Sequence, residues 1–135
     1  MLIFKGDYDK KEFYSLMGKF FAEREYKRLM PYLVNKRDTN WYIEIENNEV
    51  VGFISFIDKS NKINIGYCYV SDEAKYSILR HNLITLAIDK KKDIYAEIEK
   101  SLGNGEYLQL GFEIYKETAN YWYLVRRAGH ESLCK

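Results

Sequence analysis

Hydrophobic positions along this chain follow two periods. The N-terminal part has apolar side chains at helical spacing, whereas the middle alternates apolar and polar residues as half-buried strands do. Asp9, three residues before Glu12, is typical of a helix N-terminus, and Pro31 predicts a helix end. The predicted elements are, in chain order, strand 2–4, from Asp9 either one long helix or two short helices with a bend near 21–24, strands 41–46, 49–57 and 62–70, a helix capped by Ser71, Asp72 and Glu73, strand 93–98, a short helix from Ser101 to Leu110, and a hairpin of 112–116 with 121–127.

This order of elements predicts the fold class. Asn47-Asn48 is typical of a tight turn, because asparagine tolerates positive φ, so the middle strands form an antiparallel meander. The strand–helix–strand unit that follows favours a parallel crossover. We expect an α+β fold with a mixed α/β sheet in the order β-α(α)-βββ-α-β-α-ββ, as a single domain over 1–127 with a tail at 128–135. Alternation in the third meander strand predicts four side chains on one face: Ile63, Ile65, Tyr67 and Tyr69.

Composition and charge exclude several classes of protein. The 135 residues are 47% hydrophobic and 30% charged, which is typical of a folded domain with its own core. Lys plus Arg number 21 and Asp plus Glu 20, unlike the strongly basic nucleic-acid-binding proteins. Cys68 and Cys134 have neither zinc-site spacing nor a disulfide framework, so we expect no metal site and a reducing, cytoplasmic location. No apolar run reaches the roughly 18 residues of a membrane span, and we expect no signal peptide.

A short motif near the C-terminus carries the clearest chemical signal. Tyr107 lies in a predicted helix, and Gly111-Phe112 ends that helix and starts a strand. This motif and the element order, from Met1 to Arg127, resemble the GNAT-type N-acetyltransferase superfamily. The resemblance implies acyl transfer from acyl-coenzyme A, typically acetyl-CoA, to an amine. It implies that Tyr107 is the general acid that protonates the departing thiolate, since the pKa of a phenol lies just above that of a thiol.

The resemblance also implies where acyl-CoA binds. In this family the strand before the crossover helix splays from its parallel neighbour, and its free main-chain groups pair with the pantetheine arm. Tyr69 and Val70 stand at that point. The family's glycine-rich pyrophosphate loop is missing, because no glycine occurs between Val70 and Leu83. The side chains expected to bind the cofactor instead are Lys75, Ser77, Arg80 and, loosely, Asn104.

The proton acceptor and the acceptor substrate are less well defined. Some family members carry a glutamate at a position where this chain has Asn64, which takes no proton. Glu44 and Glu46, on the first meander strand, are the alternatives and would activate the amine through water. The acceptor is left open as an amine-bearing small molecule, protein or nucleic acid.

Two further interpretations stay open. The first is a compact, phage-type Mom-like enzyme that modifies nucleic-acid bases; the abundant Tyr, Ile, Lys and Asn are typical of a phage or low-GC genome. Its aromatic and basic surface would comprise Tyr26, Lys27, Arg28, Tyr32, Lys36, Arg37, Trp41 and Tyr42. The second is a degenerate GNAT-fold binding module without catalysis, in which the gap between the splayed strands is closed. The aromatic strand Tyr121 to Leu124 suggests pairing across a homodimer.

Overall fold

The structure is a computed structural model that describes residues 1–129. In chain order its elements are β1 (Leu2–Phe4), α1 (Lys10–Ala22), α2 (Arg24–Leu29), β2 (Asn40–Glu46), β3 (Glu49–Asp58), β4 (Lys62–Val70), α3 (Ser77–Ala87), β5 (Asp93–Glu99), a 3-10 turn (Lys100–Leu102), α4 (Gly105–Gln109), β6 (Glu113–Glu117) and β7 (Tyr121–Arg126). The seven strands form one mixed sheet in the order β1-β2-β3-β4-β5-β7-β6. The predicted fold class and element order are confirmed.

Helices α1 and α2 cover one face of the N-terminal half of the sheet. Asp9 Oδ1 accepts the amides of Lys11 at 2.9 Å and Glu12 at 3.4 Å, as expected of a helix cap. Glu23 has extended backbone, which separates α1 from α2, so of the two alternatives for this region the structure has two helices with a bend. The core on this face contains Phe13, Met17, Phe20, Trp41, Ile43 and Phe53.

A bulge in β4 moves side chains from one face of the sheet to the other. Two residues of β4, Gly66 and Tyr67, lie opposite a single residue of β3, Ser55. The isoleucines before the bulge therefore pack with α3, whereas Tyr67 and Tyr69 pack in the core beneath α1. The prediction that all four share one face is wrong, because strict alternation assumes a ladder without an extra residue.

Strands β4 and β5 run parallel and then separate. Their pairing extends from Lys62 opposite Asp93 to Ile65 opposite Ala96, and residues 1–129 show no β4–β5 pair beyond that point. β5 stays paired with β7 as far as Glu99. The parallel crossover is confirmed, and a wedge-shaped gap opens between β4 and β5. A closed gap, which the binding-module interpretation requires, is not what the structure has.

Helix α3 begins later than the sequence predicts. Asp72 Oδ1 accepts the amides of Ala74 and Lys75, both at 3.1 Å, and its carbonyl accepts the amide of Tyr76 at 2.8 Å. These bonds close a turn of their own, and the helix starts only at Ser77. Asp72 therefore does not cap α3, since the amides that it binds precede the helix.

The C-terminal hairpin is confirmed, but its place in the sheet changes one prediction. β7 lies between β5 and β6, so both of its edges are paired. It has no free edge for main-chain pairing across a dimer, and β6 is the edge strand at this end. Of the predicted tail, Ala128 and Gly129 are in a turn, and 130–135 lie outside the described residues. None of the helices within 1–129 is long and apolar enough to cross a membrane.

Candidate functional site

The gap between β4 and β5 is a cleft that connects two larger pockets. One pocket, of about 370 Å³, lies beside the segment after α2 and shares Gly66, Tyr67, Glu97 and Tyr121 with the gap. We call it the tyrosine pocket. The other, of about 380 Å³, lies beside α3 and α4, and we call it the arginine pocket after Arg80. A ligand that lies in the gap therefore faces both pockets.

Tyr107 is held in the wall of the gap by the end of α4. The amide of Phe112 donates to the carbonyl of Tyr107 at 3.1 Å, and that of Gly111 to Leu108 at 3.1 Å. This closure requires the positive φ of 93° at Gly111, which glycine adopts without strain. The ring of Tyr107 packs edge-on against Phe112 with 5.3 Å between centroids. The motif predicted from the sequence is thus a rigid support for one phenol.

The hydroxyl of Tyr107 is buried and has no hydrogen-bond partner among the described residues. Its side chain is 3% exposed, and it lines both the gap and the arginine pocket. An unsatisfied buried hydroxyl costs about 1–3 kcal/mol, so a polar ligand atom here would relieve that cost. Burial raises the pKa of Tyr107 well above its usual value, and the phenol therefore keeps its proton.

Cys68 also lines the gap but is not an activated nucleophile. Its Sγ lies 3.9 Å from the carbonyl oxygen of Arg80. Burial raises the pKa of the thiol to about 12, so the thiolate is scarce at neutral pH. This agrees with its interpretation as a buried strand cysteine.

Tyr69 and Val70 lie on the part of β4 that has left β5. On the other side they pair with Phe53 and Gly52 of β3. Their edge toward β5 has no β5 partner, because the β4–β5 ladder ends at Ile65, and neither residue is among those that line the gap itself. The unpaired edge of a strand suits a ligand with amide groups, such as a pantetheine arm.

Arg80 has its charge balanced inside the arginine pocket. Its side chain is 10% exposed, forms an ion pair with Glu73, and has Nε 3.8 Å from Glu106 Oε1. Nε has no hydrogen bond among the described residues. Asn104 lines the same pocket, between Gly103 and Gly105. Of the four side chains predicted to bind the cofactor, these two are brought together.

Solved N-acyltransferases have the same arrangement of elements. An acyl-CoA N-acyltransferase from Pseudomonas aeruginosa aligns with a TM-score of 0.69 at 18% identity, over 93% of this chain and 97% of that chain. Escherichia coli ElaA aligns with a TM-score of 0.68 at 17% identity over the same shares. The chain has the GNAT fold.

A third solved structure shows this fold with coenzyme A. The PaiA N-acetyltransferase from Thermoplasma acidophilum, in complex with coenzyme A, aligns with a TM-score of 0.58 at 17% identity, over 90% of this chain and 81% of that chain. The sequence matches no protein-family model and no curated protein. The likeness to the GNAT fold therefore rests on three-dimensional structure.

In this version of the GNAT fold, two of the predicted cofactor residues lie away from the cleft. Lys75 Nζ is 3.6 Å from Glu46 Oε1 and its side chain is exposed. Ser77 is exposed at the first position of α3, and neither residue lines the gap or the pockets that adjoin it. The amides of the turn before α3 are used by Asp72. This turn does not fit a pyrophosphate.

The two glutamates predicted to accept a proton are also far from the cleft. β3 separates their strand, β2, from β4. Glu46 accepts the hydroxyl of Tyr76 at 2.9 Å, and Glu44 lies 3.8 Å from the N-terminal ammonium of Met1. They project from the face opposite α1, so the assignment of Glu44 and Glu46 to the reaction site is not supported.

Glu97 is the acidic residue that the sequence interpretation missed. It follows Ala96, the last residue of β5 to pair with β4, and lines both the gap and the tyrosine pocket. A glycine inside a predicted strand, Gly66, was the available signal, since such glycines mark bulges. Alternation along β5 then sets Glu97 on the face opposite Ile94 and Ile98.

The aromatic and basic surface predicted for nucleic acid does not assemble. Trp41 is fully buried, and its Nε1 donates to Asn35 Oδ1 at 3.0 Å. Tyr42 packs on Phe56 at the opposite face of the sheet. Of the eight side chains predicted to form this surface, the tyrosine pocket includes only Tyr32 and Lys36.

Proposed function

We propose that this protein transfers an acyl group from acyl-CoA, with acetyl-CoA as the expected donor, to an amine. The observation that carries the proposal is the gap between β4 and β5, with the unpartnered, buried hydroxyl of Tyr107 in its wall. The GNAT fold supports the same reaction, since the solved neighbour from P. aeruginosa is named an acyl-CoA N-acyltransferase.

The residues around the gap fit acyl-CoA in two places. The free edge of β4 at Tyr69 and Val70 offers main-chain groups to the amides of a pantetheine arm. The arginine pocket offers Arg80 and Asn104 to phosphate oxygens. When bound, acyl-CoA supplies an activated carbonyl and a thiolate leaving group.

Tyr107 is proposed to donate the proton that the leaving sulfur requires. Its hydroxyl lines the gap, and burial keeps its pKa high enough for the phenol to stay protonated. Main-chain amides of β4 near Val70 are proposed to polarise the acyl carbonyl, because donors fixed in a strand need no rearrangement during the reaction.

The amine is proposed to enter from the tyrosine pocket. This pocket joins the gap at Gly66 and Tyr67, on the side away from Arg80. Two reactants that approach from opposite sides meet in the gap, and such positioning supplies much of the catalysis in a direct transfer.

Calorimetry with acetyl-CoA and an assay of thiol release test the proposal together. We expect binding at micromolar to sub-millimolar concentration, and release of one thiol for each amine acetylated. Coenzyme A without its acyl group is titrated as a control, so that the contribution of the acyl group to binding can be compared. Absence of binding at about 1 mM acetyl-CoA contradicts the proposal. Binding without turnover on any amine keeps the cofactor site and contradicts the proposed transfer reaction.

A further inference from the structure

We infer that the acceptor is a small monoamine with an apolar or aromatic body, whose nitrogen binds Glu97 while its body fills the tyrosine pocket. The inference rests on the proposed acyl transfer and names the substrate class of that site.

The position of Glu97 places one carboxylate at the point where the strands separate. Ile65 opposite Ala96 is the last β4–β5 pair, so Glu97 is the first residue of β5 that faces the open gap. It lines the tyrosine pocket, the gap and a third pocket, of about 530 Å³, which Tyr95, Tyr115 and Tyr123 also line. The carboxylate is therefore within the space where a nitrogen must lie to reach an acyl group in the gap.

Glu97 and Glu99 both line the gap without a cationic partner among residues 1–129, and of the two Glu97 is the one that also lines the tyrosine pocket. Glu73 and Glu106 both pair with Arg80. Among residues 1–129, no lysine or arginine forms an ion pair with Glu97, and the phenol of Tyr123 lies beside it. A carboxylate that borders an apolar pocket without a counter-charge favours a ligand that brings a cation.

The walls of the tyrosine pocket determine the size and polarity of the substrate body that fits beside the amine. Its volume of about 370 Å³ is at the small end for ligand pockets. The amide of Tyr32 donates to the hydroxyl of Tyr67 at 3.3 Å, which fixes one wall. The apolar and aromatic side chains of the lining are Tyr32, Val34, Phe56, Ile57, Ile65, Tyr67 and Tyr121.

These walls discriminate against acceptors with several charges. The pocket lining contains one carboxylate, Glu97, and one cation, Lys36. A second ammonium group on the substrate would lose its hydration among aromatic walls and would meet Lys36 rather than another acid. An apolar body pays no such cost, so a monoamine is the better match.

Glu97 is also placed to take the protons that the reaction releases. The bound ammonium loses one proton to water through Glu97 and becomes a neutral amine. The nitrogen then forms a bond to the acyl carbon as the carbon–sulfur bond breaks, and its second proton passes to Glu97. The sulfur takes the hydroxyl proton of Tyr107, which water restores, and Glu97 gives its proton back to water, so the products are an amide, a free thiol and one proton in solution.

Acetylation of 2-phenylethylamine and of spermidine by the full chain tests the inference. We expect kcat/KM for 2-phenylethylamine to exceed that for spermidine by at least about tenfold. Glu97→Gln should lower kcat/KM for 2-phenylethylamine by at least about tenfold without changing the Kd of acetyl-CoA. The matched control is Glu113→Gln, an exposed residue of the edge strand β6, which should stay within about twofold.

The outcomes separate the inference from the proposed function. Failure of acetyl-CoA to bind contradicts the proposed function itself. Binding of acetyl-CoA with a preference for spermidine, with an unchanged Glu97→Gln variant, or without acetylation of 2-phenylethylamine overturns the inference alone. Melting curves of both variants exclude loss of folding, which is not expected because both carboxylates are exposed.

Discussion

The two pockets that meet at the gap differ in how their charges are balanced. In the arginine pocket, Arg80 already has Glu73 and Glu106 as partners. In the tyrosine pocket, Glu97 lines an apolar space with no ion pair among residues 1–129. An anion must therefore displace internal partners to reach Arg80, whereas a cation that reaches Glu97 has no internal cation of residues 1–129 to displace and meets the phenol of Tyr123 there. The proposed acceptor amine thus meets a carboxylate without an ion pair, and the proposed cofactor phosphates meet an arginine with two carboxylate neighbours.

The largest expected effect follows from removing the hydroxyl of Tyr107, the proposed proton donor, between the two pockets. Tyr107→Phe should lower kcat by about a hundredfold or more, since general acid catalysis contributes at least that much. The Kd of acetyl-CoA should stay within about twofold, because the ring and its packing on Phe112 are kept. Steady-state kinetics and calorimetry measure the two quantities.

Tyr115→Phe is the matched control for this change. Tyr115 is 54% exposed on β6 and lines neither the gap nor the two pockets that meet there. It should leave kcat unchanged. Equal kinetics for the Tyr107 and Tyr115 variants would remove Tyr107 from the mechanism.

The second expected effect comes from disturbing the bulge in β4, at the point where the gap opens. A Cβ at Gly66 would overlap Ser55 Oγ, which accepts the amide of Tyr67 at 3.1 Å. Gly66→Ala should therefore lower the free energy of unfolding by about 2 kcal/mol, as overpacking does, and reduce acetyl transfer. Chemical denaturation measures the loss, and the double variant with Ser55→Ala should regain part of it. No recovery in the double variant would contradict this account of the bulge.

The same bulge marks the limit of what the sequence predicts. Tyr107, Gly111 and Phe112 could be recognised from the sequence because the end of a helix depends on residues that are close together in the chain. Gly111 supplies the positive φ at the end of α4. Two errors have the same cause: Tyr67 was predicted to lie on the wrong face of the sheet, and Glu97 was not singled out as a site residue. A bulge is set by pairing with Ser55, a residue distant in sequence, so periodicity within one strand does not reveal it. The pairing of Arg80 with Glu73 and Glu106 could not be predicted either, because the fold, and not periodicity along the chain, brings these side chains together.

The third expected effect separates the two basic residues proposed for the cofactor. Arg80→Gln should weaken acetyl-CoA binding by about tenfold, or 1.4 kcal/mol, because Arg80 lines the arginine pocket. Lys75→Gln should change it by less than about twofold, since Lys75 pairs with Glu46 outside that pocket. Calorimetry compares the variants, with melting curves because Arg80 is buried. An equal loss of acetyl-CoA affinity in both variants would indicate that the phosphates bind at the turn before α3.

The fourth expected effect concerns alkaline pH. Burial raises the pKa of Cys68 and of Tyr69 to about 12, and it also raises the pKa of Tyr107. Above pH 9 the unfolded chain loses these protons before the folded one does. Stability is therefore full well below pH 9 and falls as pH rises, by about 2 kcal/mol at pH 10, most of it from Cys68. Urea unfolding at pH 8 and pH 10 measures the loss, and Cys68→Ala should reduce it.

The smallest expected effect tests whether acids outside the cleft take part. Glu46 accepts the hydroxyl of Tyr76 and pairs with Lys75, both at the surface, and β3 separates its strand from the gap. Glu46→Gln should therefore leave kcat/KM within about twofold and stability within about 0.5 kcal/mol. Measured beside Glu97→Gln, it makes the same chemical change at two distances from the gap. A tenfold loss for Glu46→Gln with little effect at Glu97 would reverse their assignment and place the proton acceptor on β2.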